Sequence, residues 1–589
     1  MRTGSLVRES VGRVCPIAVA PLVLAMAFAG CSSDKPGTGG SAGSGSPGGS
    51  ANLAGTPGIP AAGANNAAGS GGNGAIAGQG SATAGSGGTA PGGAGSSTGG
   101  SNATGGTAGS TGASGGASGG ASGGTAGSGG GSSTGVTVKL AGTHQTIQGF
   151  GLNDALISAT WDTKTLDNLF TTTSDTAIGL QILRIGMNST GGIAGSTPSN
   201  ISGAKSRGAK IIGSTWTPPA NFKKGQPNPS SPNGGGHVLP ENYEAWATTI
   251  AKFAKDNSLY AMSIGNEPDF ASCGSAEPCN GDYETTLYTA KEMVAFIKIA
   301  GPKLQANGVK VISPEASEWL HTWSNESATG SVPGNKNSSD PLKCGFPATN
   351  PACASGDGYD YGHWLAKDAD AWKALDILGV HEYDTQHAEP WPADVTGGKR
   401  DKEIWQTEMS GVKWWPEQGT GTGSSLKGSD SIDNGVAVAG WIHSALVVGE
   451  ASAWLYWWYS AYGTDDNEGL TLKNATTVLT KRYFTLGNYS KFVRPGYVMV
   501  DITGNSNTNV LLSAFKGTDG TVVVVAINKG ATAATIPITI SGGTTTPATM
   551  TPNVTSATEN LKAGTAVPVT GGVFMAALPS KTVTTFVGK

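Results

Sequence analysis

Charge is scarce in this sequence. Asp, Glu, Lys and Arg make up 13% of its 589 residues, and the formal net charge is −4. No basic block occurs, so nucleic acid is not an expected partner. Between residues 32 and 135 charge nearly vanishes, with Asp34 and Lys35 as the only ionised side chains, and large apolar residues are almost missing too. Such a stretch cannot bury enough apolar surface to offset its ordering entropy. It reads as a Gly/Ser/Ala-rich linker, disordered and without chemistry. Past residue 31 no apolar run is long enough to span a bilayer. Cysteine is sparse as well, with six residues. Cys273 with Cys279, and Cys344 with Cys353, fall close together in sequence and read as two short loop disulfides. A four-Cys zinc site is the alternative, but the intervals do not resemble a zinc knuckle, so neither metal nor cofactor is expected.

What is present begins at the N-terminus. Arg2, Arg8 and Arg13 precede an apolar run from Val14 to Ala29, followed by Gly30-Cys31-Ser32-Ser33. This order describes a secretory signal over residues 1–31. Its ending "AFAGC" resembles a bacterial lipoprotein signal, departing from it at Phe28, where Leu is usual. That likeness implies lipidation of Cys31; simple cleavage near Ala29 is the alternative. A secreted or cell-surface protein is expected, reaching a membrane only through that lipid.

From Val136 onward, short β-branched segments alternate with helical stretches such as Tyr243–Asp256 and Tyr283–Ile299. The strand candidates are residues 146–151, 182–187, 210–216, 260–267, 309–315, 375–383, 402–408 and 454–459. Strand–helix alternation repeated this way predicts a (β/α)8 barrel over residues 150–490, in the α/β class. Beyond about residue 491 the texture changes to short strands broken by Gly turns, as in "VLLSAFKG" and "TVVVVAINKG". An antiparallel β-sandwich is expected over residues 491–589, joined by strand-like residues 136–149.

Polar residues collect at the C-terminal ends of the expected barrel strands: Arg184, Trp216, Asn266, Glu267, Glu315, His381, Tyr383, Glu408 and Trp457. In a barrel those ends share one face, where active sites are built. Glu267 and Glu408 are expected to face each other across the barrel mouth. Two facing carboxyls suit glycoside hydrolysis, one protonating the leaving oxygen while the other attacks carbon or activates water; separation by about 5–5.5 Å means attack with retention. Glu267 is expected to stay protonated and Glu408 ionised. Bland readings stand beside these. Glu315 reads equally as scaffold, and Trp414, Trp415 and Trp458 equally as core. His381 is open to the same core reading. His363 and His387 read as surface or loop positions, and Asp465, Asp466 and Glu468 as a solvated turn rather than a calcium site.

Taken together, "IQGFG", "STWTPPANFKKG", "SIGNEPD", "EIWQTEMSG" and "YFTLGNYSKFVRPGY" resemble glycoside hydrolase family 30. The likeness covers most of residues 136–589. It implies a (β/α)8 TIM barrel with a fused β-sandwich and a retaining mechanism. Glu267 would be the acid/base and Glu408 the nucleophile. Asn266 would bond the sugar 2-hydroxyl, and Tyr383 would support the nucleophile. Arg184, Trp216, His381 and Trp457 would line the central subsite. The wording around "HEYD" and "WLYWWY" looks closest to the xylanase branch, which implies an endo-β-1,4-xylanase acting on plant xylan. Glucuronoxylan-specific members carry an Arg shortly after the Trp-Trp-Tyr. Here Trp457-Trp458-Tyr459-Ser460-Ala461-Tyr462 has none, so strict dependence on glucuronic acid branches does not follow. The alternatives are a β-1,6-galactanase, β-1,6-glucanase or glucosylceramidase of the same family and, outside enzymes, a cell-surface carbohydrate-binding protein. A monomer is expected, with polysaccharide as its partner. The loops 270–282 and 328–362 look particular to this chain.

Overall fold

The computed structural model describes residues 135–589 except 157–158, 225–235, 270–285, 325–357, 384–387, 411–430, 461–468, 474–476 and 544–545. The signal, the linker, the six cysteines, Trp414, Trp415, His387 and the acidic group at 465–468 therefore lie outside the described residues.

Eight strands run parallel around a closed barrel. They are β2 (Gly149–Asn153), β3 (Ile182–Met187), β4 (Lys210–Thr215), β5 (Ala261–Ser263), β6 (Lys310–Ala316), β7 (Ile377–His381), β8 (Glu403–Glu408) and β9 (Ala453–Ser460). Each pairs in parallel with its neighbours in chain order, and β9 closes onto β2. Inward residues fill the barrel: Ile182, Ile212, Ala261, Ile312, Ile377, Trp405, Ala453 and Leu455 form one cluster. Outward residues of the same strands join the larger core beneath the helices. This two-sided burial explains why the strands read as apolar runs rather than alternating ones.

The strand expected over residues 375–383 covers only β7, others shift by a residue or so, and three further boundaries differ from the sequence expectation. The first barrel strand lies at Gly149–Asn153, because residues up to Thr146 belong to β1 (Val136–Thr146) of the other domain. The strand expected to reach Glu267 ends at Ser263. The helix expected from Tyr283 runs instead over α2 (Ala290–Gln305), and it starts where a capping box sets it. Thr289 accepts from the Glu292 N–H while Glu292 accepts from the Thr289 N–H. α1 (Tyr243–Asp256) matches its expected span.

The second domain pairs β1 antiparallel with β10 (Val498–Thr503) and parallel with β13 (Ala534–Ser541). Its remaining main strands, β11 (Val510–Lys516), β12 (Val522–Asn528), β14 (Thr549–Thr555), β15 (Val573–Leu578) and β16 (Thr582–Gly588), pair antiparallel. In β12 every residue is buried. Val522, Val524 and Ala526 enter the sandwich core, whereas Val523, Val525 and Ile527 enter the barrel's core, near α3 (Ile432–Val447). The unbroken "VVVVAI" thus reports a strand sandwiched between two domains.

Candidate active site

The barrel strands deliver their polar residues to one end, as the expectation required. Arg184, wholly buried on β3, is the hub. Its Nη1 donates to Glu408 Oε2 at 2.7 Å and to Asn153 Oδ1 at 2.8 Å; its Nη2 donates to Asn266 Oδ1 at 2.6 Å and Glu315 Oε2 at 2.9 Å. Only a planar fork can serve four acceptors in this way. Burial pulls down the Arg184 pKa, but Glu315 and Glu408 outweigh it and raise the value, so the guanidinium stays charged.

Glu408 ends β8 and is almost wholly buried. Besides Arg184, it accepts from Tyr383 Oη at 3.0 Å. Burial pushes its carboxyl above the ordinary range, against the pull of His381 and Arg184; Glu267 and Glu315 push it further. Glu267 stands opposite, with His381 Nδ1 at 3.0 Å from its Oε1. His381 Nε2 lies 3.8 Å from Glu408 Oε2, so the imidazole bridges the two acids. Burial works against the His381 cation, yet Glu408 and Glu267 raise its pKa overall. One oxygen of Glu267, one of Glu408 and a ring nitrogen of His381 lie within 4.8 Å of one another. Three such atoms could ligate a metal, but the adjoining guanidinium already supplies the positive charge that a cation would bring.

The local backbone explains how Glu267 reaches this spot. It lies past the end of β5 with φ +48°, and its N–H donates to Glu315 O at 2.9 Å. Glu315 itself has φ +59°. Two bulky residues in the left-handed region are held there only if the surroundings over-determine them. Asp269 supplies that hold. Buried completely, it accepts from the Ser317 N–H at 2.9 Å and Ser317 Oγ at 2.7 Å, and pairs with His321 Nδ1 at 2.5 Å. The turn after β5 is thereby clasped to the turn after β6.

The rings of Trp216 and Trp457 sit 6.3 Å apart, and the Arg184 guanidinium carbon is 5.0 Å from the Trp216 ring centre. The structure thus assembles Arg184, Trp216, Asn266, Glu267, His381, Tyr383, Glu408 and Trp457 in one place. The two open readings resolve toward scaffold and core. Glu315 is fully buried, with its Oε2 also accepting from Ser214 Oγ at 2.6 Å. Trp458 is buried, and its indole donates to Ala155 O at 2.9 Å. His363 sits on the short helix Tyr361–Lys367, partly buried beside Asp360.

A family model described as the glycosyl hydrolase family 30 beta sandwich domain matches residues 496–586. The glucuronoxylanase XynC of Bacillus subtilis (strain 168) is 29% identical over 465 residues, covering 77% of this chain and 92% of the relative. The structure is similar to a GH30 endoxylanase from Clostridium papyrosolvens C71, with a TM-score of 0.57 and 26% identity over 77% of this chain and 99% of that one. It is equally similar to a glycoside hydrolase family 30 subfamily 8 xylanase from Clostridium acetobutylicum, with a TM-score of 0.57 and 26% identity over 78% and 100%. Residues 496–586 thus match the family 30 sandwich, and the chain resembles family 30 xylanases over 77% of its length. Sequence reasoning misses several residues of this site. Asn153 escapes it because the sequence pattern starts the first barrel strand too early in the chain. Ser214 precedes the residues singled out at the end of β4, and Asp269 stands within "NEPD" itself, but its partners lie some 50 residues on, at Ser317 and His321.

Proposed function

We propose that the protein is a retaining endo-β-1,4-xylanase that cleaves plant xylan, with Glu267 as acid/base and Glu408 as nucleophile. The observation carrying this reading is that one carboxyl oxygen of Glu267 lies within 4.8 Å of one of Glu408. So close an approach suits the retaining spacing of about 5–5.5 Å better than the roughly 6.5–9.5 Å that an inverting enzyme needs for a water. Glu408 accepts from Arg184 and Tyr383, two donors that favour its anion. The buried set holds three carboxyls, Glu267, Glu315 and Glu408, against two cations, Arg184 and protonated His381. One proton shared by the Glu267–Glu408 pair makes the set neutral, and on Glu267 it is in place for donation.

In the first step Glu408 bonds to the anomeric carbon as the glycosidic C–O bond breaks, and Glu267 gives its proton to the departing oxygen. In the second, Glu267 takes a proton from water, the water oxygen bonds to the same carbon, and Glu408 is released. Asn266, held by Arg184, presents its amide to the sugar 2-hydroxyl, and Trp216 and Trp457 wall the subsite. Linear xylan is expected to serve alongside glucuronoxylan, since the stretch Trp457-Trp458-Tyr459-Ser460-Ala461-Tyr462 offers no Arg to a carboxylate branch.

Glu408→Gln tests the assignment. It should abolish release of reducing ends from xylan with the fold retained, and undiminished cleavage would end it. Products from linear xylan, glucuronoxylan, β-1,6-galactan and β-1,6-glucan separate the xylanase from the other activities. No cleavage of any glycan, with binding retained, would favour a carbohydrate-binding protein. We also propose export with a lipid on Cys31 and disulfides 273–279 and 344–353. Fatty-acid labelling lost in Cys31→Ala, and peptide masses before and after reduction, check these.

A further inference from the structure

Between the two site residues His381 and Tyr383 stands a third titratable residue that the chemistry above does not use. Glu382 is completely buried. Along β7 the side chains alternate: Ile377 faces into the barrel, Leu378 and Val380 face the outer core, and His381 faces the acid pair. Just past the strand end, Glu382 turns outward to Trp454 of the outer core and Tyr383 turns inward to Glu408. Its Oε2 accepts from Trp454 Nε1 at 2.9 Å, and its Oε1 has no hydrogen-bond partner among the described residues. Trp454 belongs to β9, and β8 lies between β7 and β9. The Glu382–Trp454 link therefore crosses the back of the strand that ends in Glu408.

A carboxyl so placed is unusual. Burying an ionised carboxylate without a cation costs several kcal/mol, and no ion pair to Glu382 occurs among the described residues. Burial pushes its pKa up to about 8, opposed only by the Trp454 indole. Asp154, another buried acid, is also pushed up to about 8 by burial, but it accepts from Asn200 and follows Asn153 at the end of the first barrel strand. Glu382 alone is bonded covalently to both of them: His381, which bridges the acids, and Tyr383, which donates to Glu408.

Resting on the xylanase reading, we propose that Glu382 is a positioning residue for hydrolysis: its carboxyl, tied to Trp454 across the back of β8, fixes the backbone from which His381 and Tyr383 reach the two catalytic acids. What this requires of the side chain is a neutral acceptor of the right length, not a charge. Glutamine satisfies that requirement; leucine keeps the shape and removes the acceptor.

The test compares Glu382→Gln, Glu382→Leu and Trp454→Phe with the wild type and Glu408→Gln on linear xylan, using full-length protein. Glu382→Gln should keep kcat within about threefold. Glu382→Leu and Trp454→Phe should each lose kcat by roughly 10- to 100-fold, the scale of a small misplacement of catalytic groups, with KM little changed. The double variant Glu382→Leu/Trp454→Phe should be no worse than the worse single one. Wild-type kcat in Glu382→Leu, a loss in KM alone, or Glu382→Gln as poor as Glu382→Leu would overturn the proposal. A folded wild type that cleaves no glycan would instead remove the functional reading. The positioning claim would then be judged from the His381 ring signals in an NMR spectrum. They should move in Glu382→Leu and hold in Glu382→Gln; signals unmoved in both overturn it. If Glu382→Leu fails to fold, Trp454→Phe, which removes the indole donor and some ring volume, decides the matter on the same readouts, with Trp454→Tyr, which also lacks the indole N–H but is larger than Phe, as a check on the volume.

Discussion

Replacing Arg184 with Met is the most informative perturbation of this site. The side chain is fully buried and holds two carboxylates and two amides at 2.6–2.9 Å. Methionine fills similar volume and removes the charge. Glu315 then keeps the Ser214 hydroxyl as a donor in a closed interior, and Glu408 keeps Tyr383. Breaking a buried ion pair on one side costs about 3–5 kcal/mol, against a total stability of about 5–15 kcal/mol for a typical fold. The loss should depend on pH, with a definite sign. Burial works to raise the Glu315 pKa, but Arg184 and His381 outweigh it, so the folded value is lowered. Its contribution is present above the unfolded value of about 4.3 and fades as pH falls through the lower folded value. Arg184→Met should therefore show a large drop in urea midpoint at pH 7 that persists down to about pH 4.3 and narrows only as pH falls further, through the lower folded value of Glu315. Adding Glu315→Gln to Arg184→Met should recover part of the loss, since the orphaned charge is gone. A variant with the wild-type midpoint at pH 7, or one whose deficit does not narrow as pH falls through the acid range below about 4.3, would refute the charge argument.

Other outcomes follow from the same geometry. Tyr383→Phe removes the hydroxyl donated to Glu408 at 3.0 Å; a bond to a charged group is worth about 1.5–3 kcal/mol, so kcat should fall roughly 10- to 100-fold, read from initial rates. Because burial raises the Glu408 pKa and the nucleophile must be ionised, the acid limb of kcat/KM should lie above the about 4.3 of an ordinary glutamate; a limb at or below that value would contradict the burial argument. His381 has a raised folded pKa, so its stabilising share is complete below about 6.5 and is lost as pH rises through that higher value; His381→Gln should flatten this part of the midpoint–pH curve. Asp269→Asn weakens the clasp on Ser317 and His321. It should lower the thermal midpoint and kcat together, checked by circular dichroism and rate.

Much of the barrel can be read from the chain because most of its strands are short apolar runs with a polar residue in or near the C-terminal half. The run "ILRIGM" fixes β3 and also its hub, Arg184. The pair Glu267 and Glu408 emerges the same way, from position rather than from any local pattern linking them. The misses share another cause. "GVTVKLAGTHQT" and "GFGLN" are both strand-forming, and no local signal says that they enter different sheets. Glu267 reads as the end of a strand, whereas it occupies a left-handed turn past that strand's end, a conformation set by contacts made from Glu315 and Asp269. Those contacts bring together residues about 50 positions apart. Glu382 stays silent between His381 and Tyr383, since nothing in "HEYD" says which way a side chain points or that Trp454 awaits it.

The double burial of β12 bears on how this catalyst can be handled. Val523, Val525 and Ile527 spend their side chains on the neighbouring domain, and β1 threads in from ahead of the barrel to complete the same layer. A truncation before Val498 would strip an oily face from the helices and orphan β1 at once, so the C-terminal part behaves as a buttress rather than a detachable appendage. Engineers who wish to graft a different accessory module should add it beyond Lys589 or ahead of Val136 and leave this layer whole. Interfaces of that kind also resist hinge motion, so substrate-dependent movement is to be sought above the strand ends.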